Sequence, residues 1–288
     1  MLDQSIRVSE VDTSWHARAR QALQPFAWDL ARKLEPDFAA DKLVLHLVKL
    51  RLNTMCLRAD LGHRSVFLKI FDSPASESNT AYKREKFVLG AMKETGIVPA
   101  LLAYHDKSRI LVLDHVDGFT FEEVEATACP VEFAGEVGTW VAKFESHAPS
   151  RPDTGNWAGY FGKLRPMLNL EDFPDDLQRL SEIPVCGSVI SRNDPAMHNF
   201  ILPREGGIVG CDFGNAQFRP RGWEFLLTYQ ALLQRFPEQA SEVLAAFVGG
   251  FRAAHTGAMR VEEICQVARI MIRATALSGR DTDVERID

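Results

Sequence analysis

Apolar residues recur at helical spacing over residues 14–34 (Trp15, Ala19, Ala22, Leu23, Phe26 and Leu30), which predicts a helix. Alternation then takes over. Residues 42–49 read as a strand, and residues 54–60 and 65–71 as two more, joined by the hairpin-type turn Leu61-Gly62-His63-Arg64. A helix is predicted over 77–94, with Phe87, Val88, Ala91 and Met92 available to pack. Strands over 97–104 and 109–114 flank Asp106-Lys107-Ser108. The first part is therefore expected to be a five-stranded, largely antiparallel sheet with one helix after its third strand.

Asp117-Gly118 breaks this pattern and predicts a boundary, giving domains 1–117 and 118–288. Beyond it helices dominate, at 119–127, 130–148 and near 221–235, 237–255 and 260–277. Segment 149–166 is rich in Pro, Gly and aromatics and reads as an ordered surface loop. Residues 185–190, 199–202 and 207–211 read as short strands, and 279–288 as a frayed end. The class is α+β, a sheet-bearing first part and a mainly helical second.

Composition narrows the field. At 288 residues, 46% apolar and 25% charged, the chain can bury a sizeable core. No apolar run reaches 18 residues, so no membrane span is expected, and the first residues lack the features of a signal peptide. Five scattered cysteines (Cys56, Cys129, Cys186, Cys211 and Cys265) show no metal-ligand spacing, which predicts buried thiols in a reducing cytoplasm. Residues 1–117 carry 17 Lys and Arg against 15 Asp and Glu, a net of +2; residues 118–288 carry 16 against 24, a net of −8. That balance argues against nucleic acid, which wants a basic face. It permits a cationic substrate on the second part, and equally an acidic solvated surface.

The chemistry gathers in Ser191-Arg192-Asn193-Asp194-Pro195-Ala196-Met197-His198-Asn199, followed after a short turn by Cys211-Asp212-Phe213-Gly214. Phosphoryl transfer needs a carboxylate at the attacking hydroxyl and oxygen ligands that hold Mg²⁺ on the phosphates. Asp194 suits the first role; taken alone, it is an ordinary turn residue before Pro195. Asn199 and Asp212 are hard oxygen donors that suit Mg²⁺; taken singly, they are cap or turn residues. Their joint order and spacing favour the catalytic reading. Lys69 lies in an otherwise apolar strand, Val66-Phe67-Leu68-Lys69-Ile70-Phe71, where an unpaired charge is costly to bury. It is either an edge-strand lysine facing solvent or a phosphate contact held by Glu85, with Glu77 as the lesser alternative. The apolar strand ending Asp114-His115-Val116-Asp117-Gly118 could offer backbone groups to an adenine ring. His147 is read as structural, and His198 as a residue inside the loop that the chemistry does not need.

At these residues the chain resembles the aminoglycoside phosphotransferase and choline kinase group, small-molecule kinases that share the bilobal protein kinase fold. The resemblance spans roughly residues 40–277. It implies ATP and Mg²⁺ as cofactors and Asp194 as the catalytic residue. It further implies Asn199 and Asp212 as Mg²⁺ ligands, Lys69 at the nucleotide phosphates, Glu85 as its anchor, and the backbone of Asp114 and Val116 at adenine. Glu224 falls where the group places an acid that supports the catalytic loop. The chain departs from the group at Arg192, where His is usual, at Glu224, where Asp is usual, and in the glycine-free turn Leu50-Arg51-Leu52-Asn53-Thr54, where Asn53 and Thr54 could cover phosphate. No long activation segment follows Asp212, which speaks against a protein substrate.

Two functions are therefore expected to compete. One is a kinase for a hydroxyl of a small molecule, with amine-bearing acceptors such as an aminoglycoside or choline-like alcohol among the candidates and Trp157, Tyr160 and Trp223 offering faces to the cation or simply packing the core. The other is a pseudokinase-like module that binds nucleotide or a partner.

Overall fold

The computed structural model describes residues 44–51, 54–60, 64–71, 76–124, 129–163 and 174–276. The helix expected over 14–34, the Leu61–His63 part of the first hairpin turn, Asn53 and the tail after 279 lie outside them. Two compact units divide the chain. One takes residues up to Tyr82 with Leu101–His115, and the other takes Lys83–Ala100 with Val116 onward.

The first unit is the expected five-stranded antiparallel sheet. Strands β1 (Val44–Arg51), β2 (Thr54–Asp60), β3 (Ser65–Ile70), β4 (Leu101–His105) and β5 (Ile110–Asp114) lie in the order β1-β2-β3-β5-β4. The alternation seen in the sequence becomes one apolar face. Met55 lies opposite Ile70, Leu57 opposite Leu68, and Ala59 opposite Val66. Leu68 and Ile70 lie opposite Val112 and Ile110 in turn. All of these side chains are buried, so cross-strand pairs and the core are the same contacts. The order puts β3 in the centre of the sheet and β5 between β3 and β4. Helix α1 (Ser76–Ala91) follows β3, as predicted.

In the second unit, α2 (Phe121–Val124) and α3 (Pro130–His147) precede a two-residue strand, β7 (Ser150–Arg151). Helix α4 (Trp157–Gly162) occupies part of the segment expected to be a loop. Its Asn156 accepts the Gly159 N–H at 2.8 Å as an N-cap, while Trp157 and Phe161 are buried. The loop-like composition hid a capped single turn and a half. Helix α5 (Pro174–Glu182) is also new, opened by a proline and two aspartates. Helices α6 (Trp223–Arg235), α7 (Ala240–Ala254) and α8 (Val261–Ala276) match the three expected near the end. Helix α7 lies hard against α3. A Cβ on Gly138 would come within 2.1 Å of the Phe247 carbonyl oxygen, so only glycine permits the approach.

Two small sheets complete the unit. One has the order β10-β9-β6, from β6 (Gly118–Thr120), β9 (Phe200–Pro203) and β10 (Val209–Gly210); the other has β11-β8-β7, from β8 (Ser188–Ser191) and β11 (Gln217–Pro220). Strands β6 and β11 are too short to carry a periodic signal, and only their distant partners define them. Among the described residues no helix is long and apolar enough to cross a membrane. Cys56 and Cys265 are buried as expected, whereas Cys129 is exposed.

Candidate active site

The β9–β10 hairpin brings two of the expected ligands to one place. Gly210 pairs with Phe200 and Val209 with Ile201, so Asn199 and Cys211-Asp212 emerge side by side at its open end. The Cys211 N–H closes the pair onto the Asn199 carbonyl at 2.9 Å. Asn199 is buried, and its Nδ2 meets no hydrogen-bond partner among the described residues. Asp212 adopts φ 63°, the left-handed region that Asp tolerates better than most residues. Among the described residues there is no cluster of three or more His, Cys, Asp or Glu to cage an ion. An amide oxygen and one carboxylate nonetheless fit Mg²⁺, which keeps waters and phosphate oxygens for its remaining positions.

The loop before this hairpin carries Asp194. Its carboxylate accepts the Ala196 N–H at 3.2 Å, and the Asn199 N–H donates to Ala196 O at 3.0 Å, so the loop is a pair of short turns. Asn193 sits at φ 59°. Glu224 explains why that conformation holds. It accepts the Ser191 hydroxyl at 2.6 Å and the Asn193 N–H at 3.3 Å, and faces Arg192 Nε at 3.4 Å. Glu224 thus carries the loop-supporting contact that the resemblance implied.

Arg192, the departure from the usual His, is wholly buried. Its Nη1 donates to the Asn199 carbonyl at 3.2 Å, and its guanidinium lies 4.2 Å from the Phe200 ring centre and 5.2 Å from that of Trp140. The longer side chain therefore ties the Asp194 loop to the Asn199 end of the hairpin. Trp140 on α3 organises the surroundings. Its indole N–H donates to Ile97 O at 2.8 Å, the carbonyl that also takes the Gly210 N–H at 3.0 Å. A Cβ on Gly210 would lie 2.1 Å from the indole. Phe144 stacks on Trp140 and on Phe213, which places the residue after Asp212 in the core.

Glu145, also on α3, escaped the sequence reading. Its spacing from Val137 and Val141 puts it on the buried face of the helix, and that was the available signal. Its Oε1 accepts the Gly222 N–H at 3.0 Å, standing in for the side-chain cap that Gly222 cannot give α6. Burial pushes this carboxyl up to about 7, with Glu224's charge adding to the rise, against the pull of Arg221 and the N–H groups of Gly222 and Phe225.

The remaining predicted residues divide between the units. Lys69 and Asp114 belong to the sheet unit. Lys69 stands on the central strand and is only 7% exposed, which removes the edge-strand alternative. Asp114 ends β5 opposite Val66 and accepts Arg64 at 2.9 Å. Glu85 and Val116 belong to the other unit; Glu85 is 2% exposed, while Glu77 is exposed. Of the three aromatics, Trp157 and Trp223 are buried, and Tyr160 is half-buried. His147 is exposed and bonded to its own helix, and His198 faces Glu122 at 3.5 Å.

Compared by sequence, the chain matches no family model and no curated protein. Compared by structure, its fold is that of small-molecule kinases with the bilobal protein kinase architecture, the group that the motif spacing resembles. An ethanolamine kinase of Plasmodium vivax superposes with a TM-score of 0.57 at 11% identity, covering 96% of this chain and 88% of that one. A choline/ethanolamine kinase family protein of Mesorhizobium loti gives 0.54 at 14%, covering 95% and 90%. An aminoglycoside phosphotransferase of Alicyclobacillus acidocaldarius gives 0.53 at 15%, covering 87% and 86%. At these identities the likeness speaks for the fold.

Proposed function

We propose that this chain is an ATP- and Mg²⁺-dependent phosphotransferase that moves the γ-phosphoryl group to a hydroxyl of a small molecule. The observation that supports it most is the open end of the β9–β10 hairpin, where Asn199 and Asp212 emerge together next to the braced Asp194 loop. Asp194 orients the acceptor hydroxyl and receives its proton as the new O–P bond forms and the bond to the leaving ADP oxygen breaks. Asn199 and Asp212 would hold the Mg²⁺, which supplies charge neutralisation on the phosphates. Lys69 serves the nucleotide phosphates with Glu85 as its anchor, and the backbone of Asp114 and Val116 serves the adenine; these roles rest on the resemblance.

The competing reading is a binding module without turnover, motivated by Arg192. The hydrogen bond that Arg192 gives the Asn199 carbonyl and its ion pair with Glu224 favour the enzyme, because they brace the loop. Thermal stability with and without Mg²⁺-ATP, on wild type and Asp212→Ala, tests the proposal. Ligand at about 100 times its Kd adds roughly 2.7 kcal/mol, a visible shift. A Mg²⁺-dependent shift that shrinks in the variant is expected. No shift with ATP or GTP would favour the binding module.

A further inference from the structure

Against Asn193, on β11, stands a cation that the sequence reading did not single out. Arg219 is half-buried. Its Nε donates to Asn193 Oδ1 at 3.3 Å, and its Nη1 donates to the Tyr160 hydroxyl at 3.2 Å. Its guanidinium carbon is 5.8 Å from the centre of the Trp223 ring. Trp223 in turn donates its indole N–H to the same Asn193 oxygen at 3.1 Å. Asn193, Tyr160 and Trp223 thus hold the guanidinium in place through neutral contacts. Its Nη2 donates to nothing among the described residues, and no carboxylate among them lies within ion-pair distance of it. Asp153 acts electrostatically on Tyr160 and accepts the Ser188 hydroxyl.

A fixed, half-buried guanidinium with a spare donor and no ion-pair partner among the described residues is an incomplete ion pair. Partial desolvation penalises it, and a carboxylate or phosphate matching its planar fork relieves that penalty. It is bonded to Asn193, the residue before Asp194, the group that would orient the acceptor hydroxyl. We infer that the acceptor is an anionic alcohol, and that Arg219 binds the carboxylate or phosphate of that molecule while Asp194 faces its hydroxyl. The inference rests on the phosphotransferase reading. It opposes the amine-bearing acceptor expected from the acidic balance of residues 118–288. An ammonium group here would meet a like charge, and the Trp223 ring is already occupied by Arg219. Trp157, the other indole expected to face a cation, has no exposed surface.

The experiment measures ADP release by the full chain in Mg²⁺-ATP with a graded panel of alcohols. It comprises choline and ethanolamine, neutral glycerol, the carboxylate glycerate, and glycerol 3-phosphate. The anionic members are expected to have the highest kcat/KM, and glycerate against glycerol 3-phosphate separates carboxylate from phosphate. Arg219→Gln should raise KM for the preferred anion by roughly tenfold or more, the weight of one charge-assisted hydrogen bond. Its kcat should change less. Arg219→Lys, which keeps the charge but loses the fork, should recover part of the loss and covers the case in which the glutamine variant folds poorly. The inference is overturned if the amines are preferred, if no anionic member is turned over, or if KM for the anion ignores both substitutions. The Mg²⁺-ATP stability shift, together with ADP release on any member of the panel, judges the kinase reading separately.

Discussion

Glu145→Gln offers a direct test of how the site is held. The folded chain keeps the Glu145 proton up to about pH 7, whereas an ordinary glutamate releases it near 4.5. Between those values the folded state binds more protons than the unfolded state, so this group's contribution to stability falls as pH rises. It is fully present below about pH 4.5 and lost on passing through 7. At 1.36 kcal/mol per unit, the whole loss is about 3 kcal/mol, of which about 2 to 3 kcal/mol falls between pH 5 and 8. Glutamine keeps an oxygen for the Gly222 N–H but cannot ionise. Urea unfolding of both proteins at pH 5, 6, 7 and 8 gives the difference in stability at each pH, and titrations common to both cancel. The variant should gain on wild type as pH rises, by about 2 to 3 kcal/mol over this range. A difference that stays flat with pH, or a wild type that gains instead, would refute the account of a proton held by burial at the α6 terminus.

Further outcomes follow from the same contacts. Glu224→Ala leaves Arg192 buried without its counter-charge and should cost about 3–5 kcal/mol in denaturant unfolding; a loss under 1 kcal/mol would mean that the pair does not brace the loop. Asp194→Asn should abolish ADP release while the Mg²⁺-ATP stability shift survives, because the nucleotide contacts are assigned to other residues. Gly210→Ala drives a methyl group into Trp140 and should destabilise by about 1–3 kcal/mol, read as a lowered Tm. Trp140→Phe in the same background should restore part of that loss by removing the indole's larger ring.

What local pattern could carry was visible along the chain. The alternation over 54–60 and 65–71 became β2 and β3, because a period of two puts every second side chain on one face and burial then pairs Leu57 with Leu68. The order of Asp194, Asn199 and Asp212 was legible because a hairpin must bring its two ends together, whatever surrounds it. Composition misled where a single contact outweighed it, as at Asn156, whose cap turns a loop-like segment into α4.

Tertiary structure decided the rest, since long-range partners leave no periodic trace. Strand β11 exists only through its pairing with β8, and Arg219 lies beside the Asp194 loop only because of that pairing. Arg192 looked like a defect in a motif until Trp140, Phe200 and Glu224, from three separate segments, closed around it. Glu145 was one of three acids in α3, and its proton affinity comes from a burial that folding alone creates. The spacing of the candidate residues was thus set by sequence order. Their charge environment was set by which distant side chains the fold packs around them.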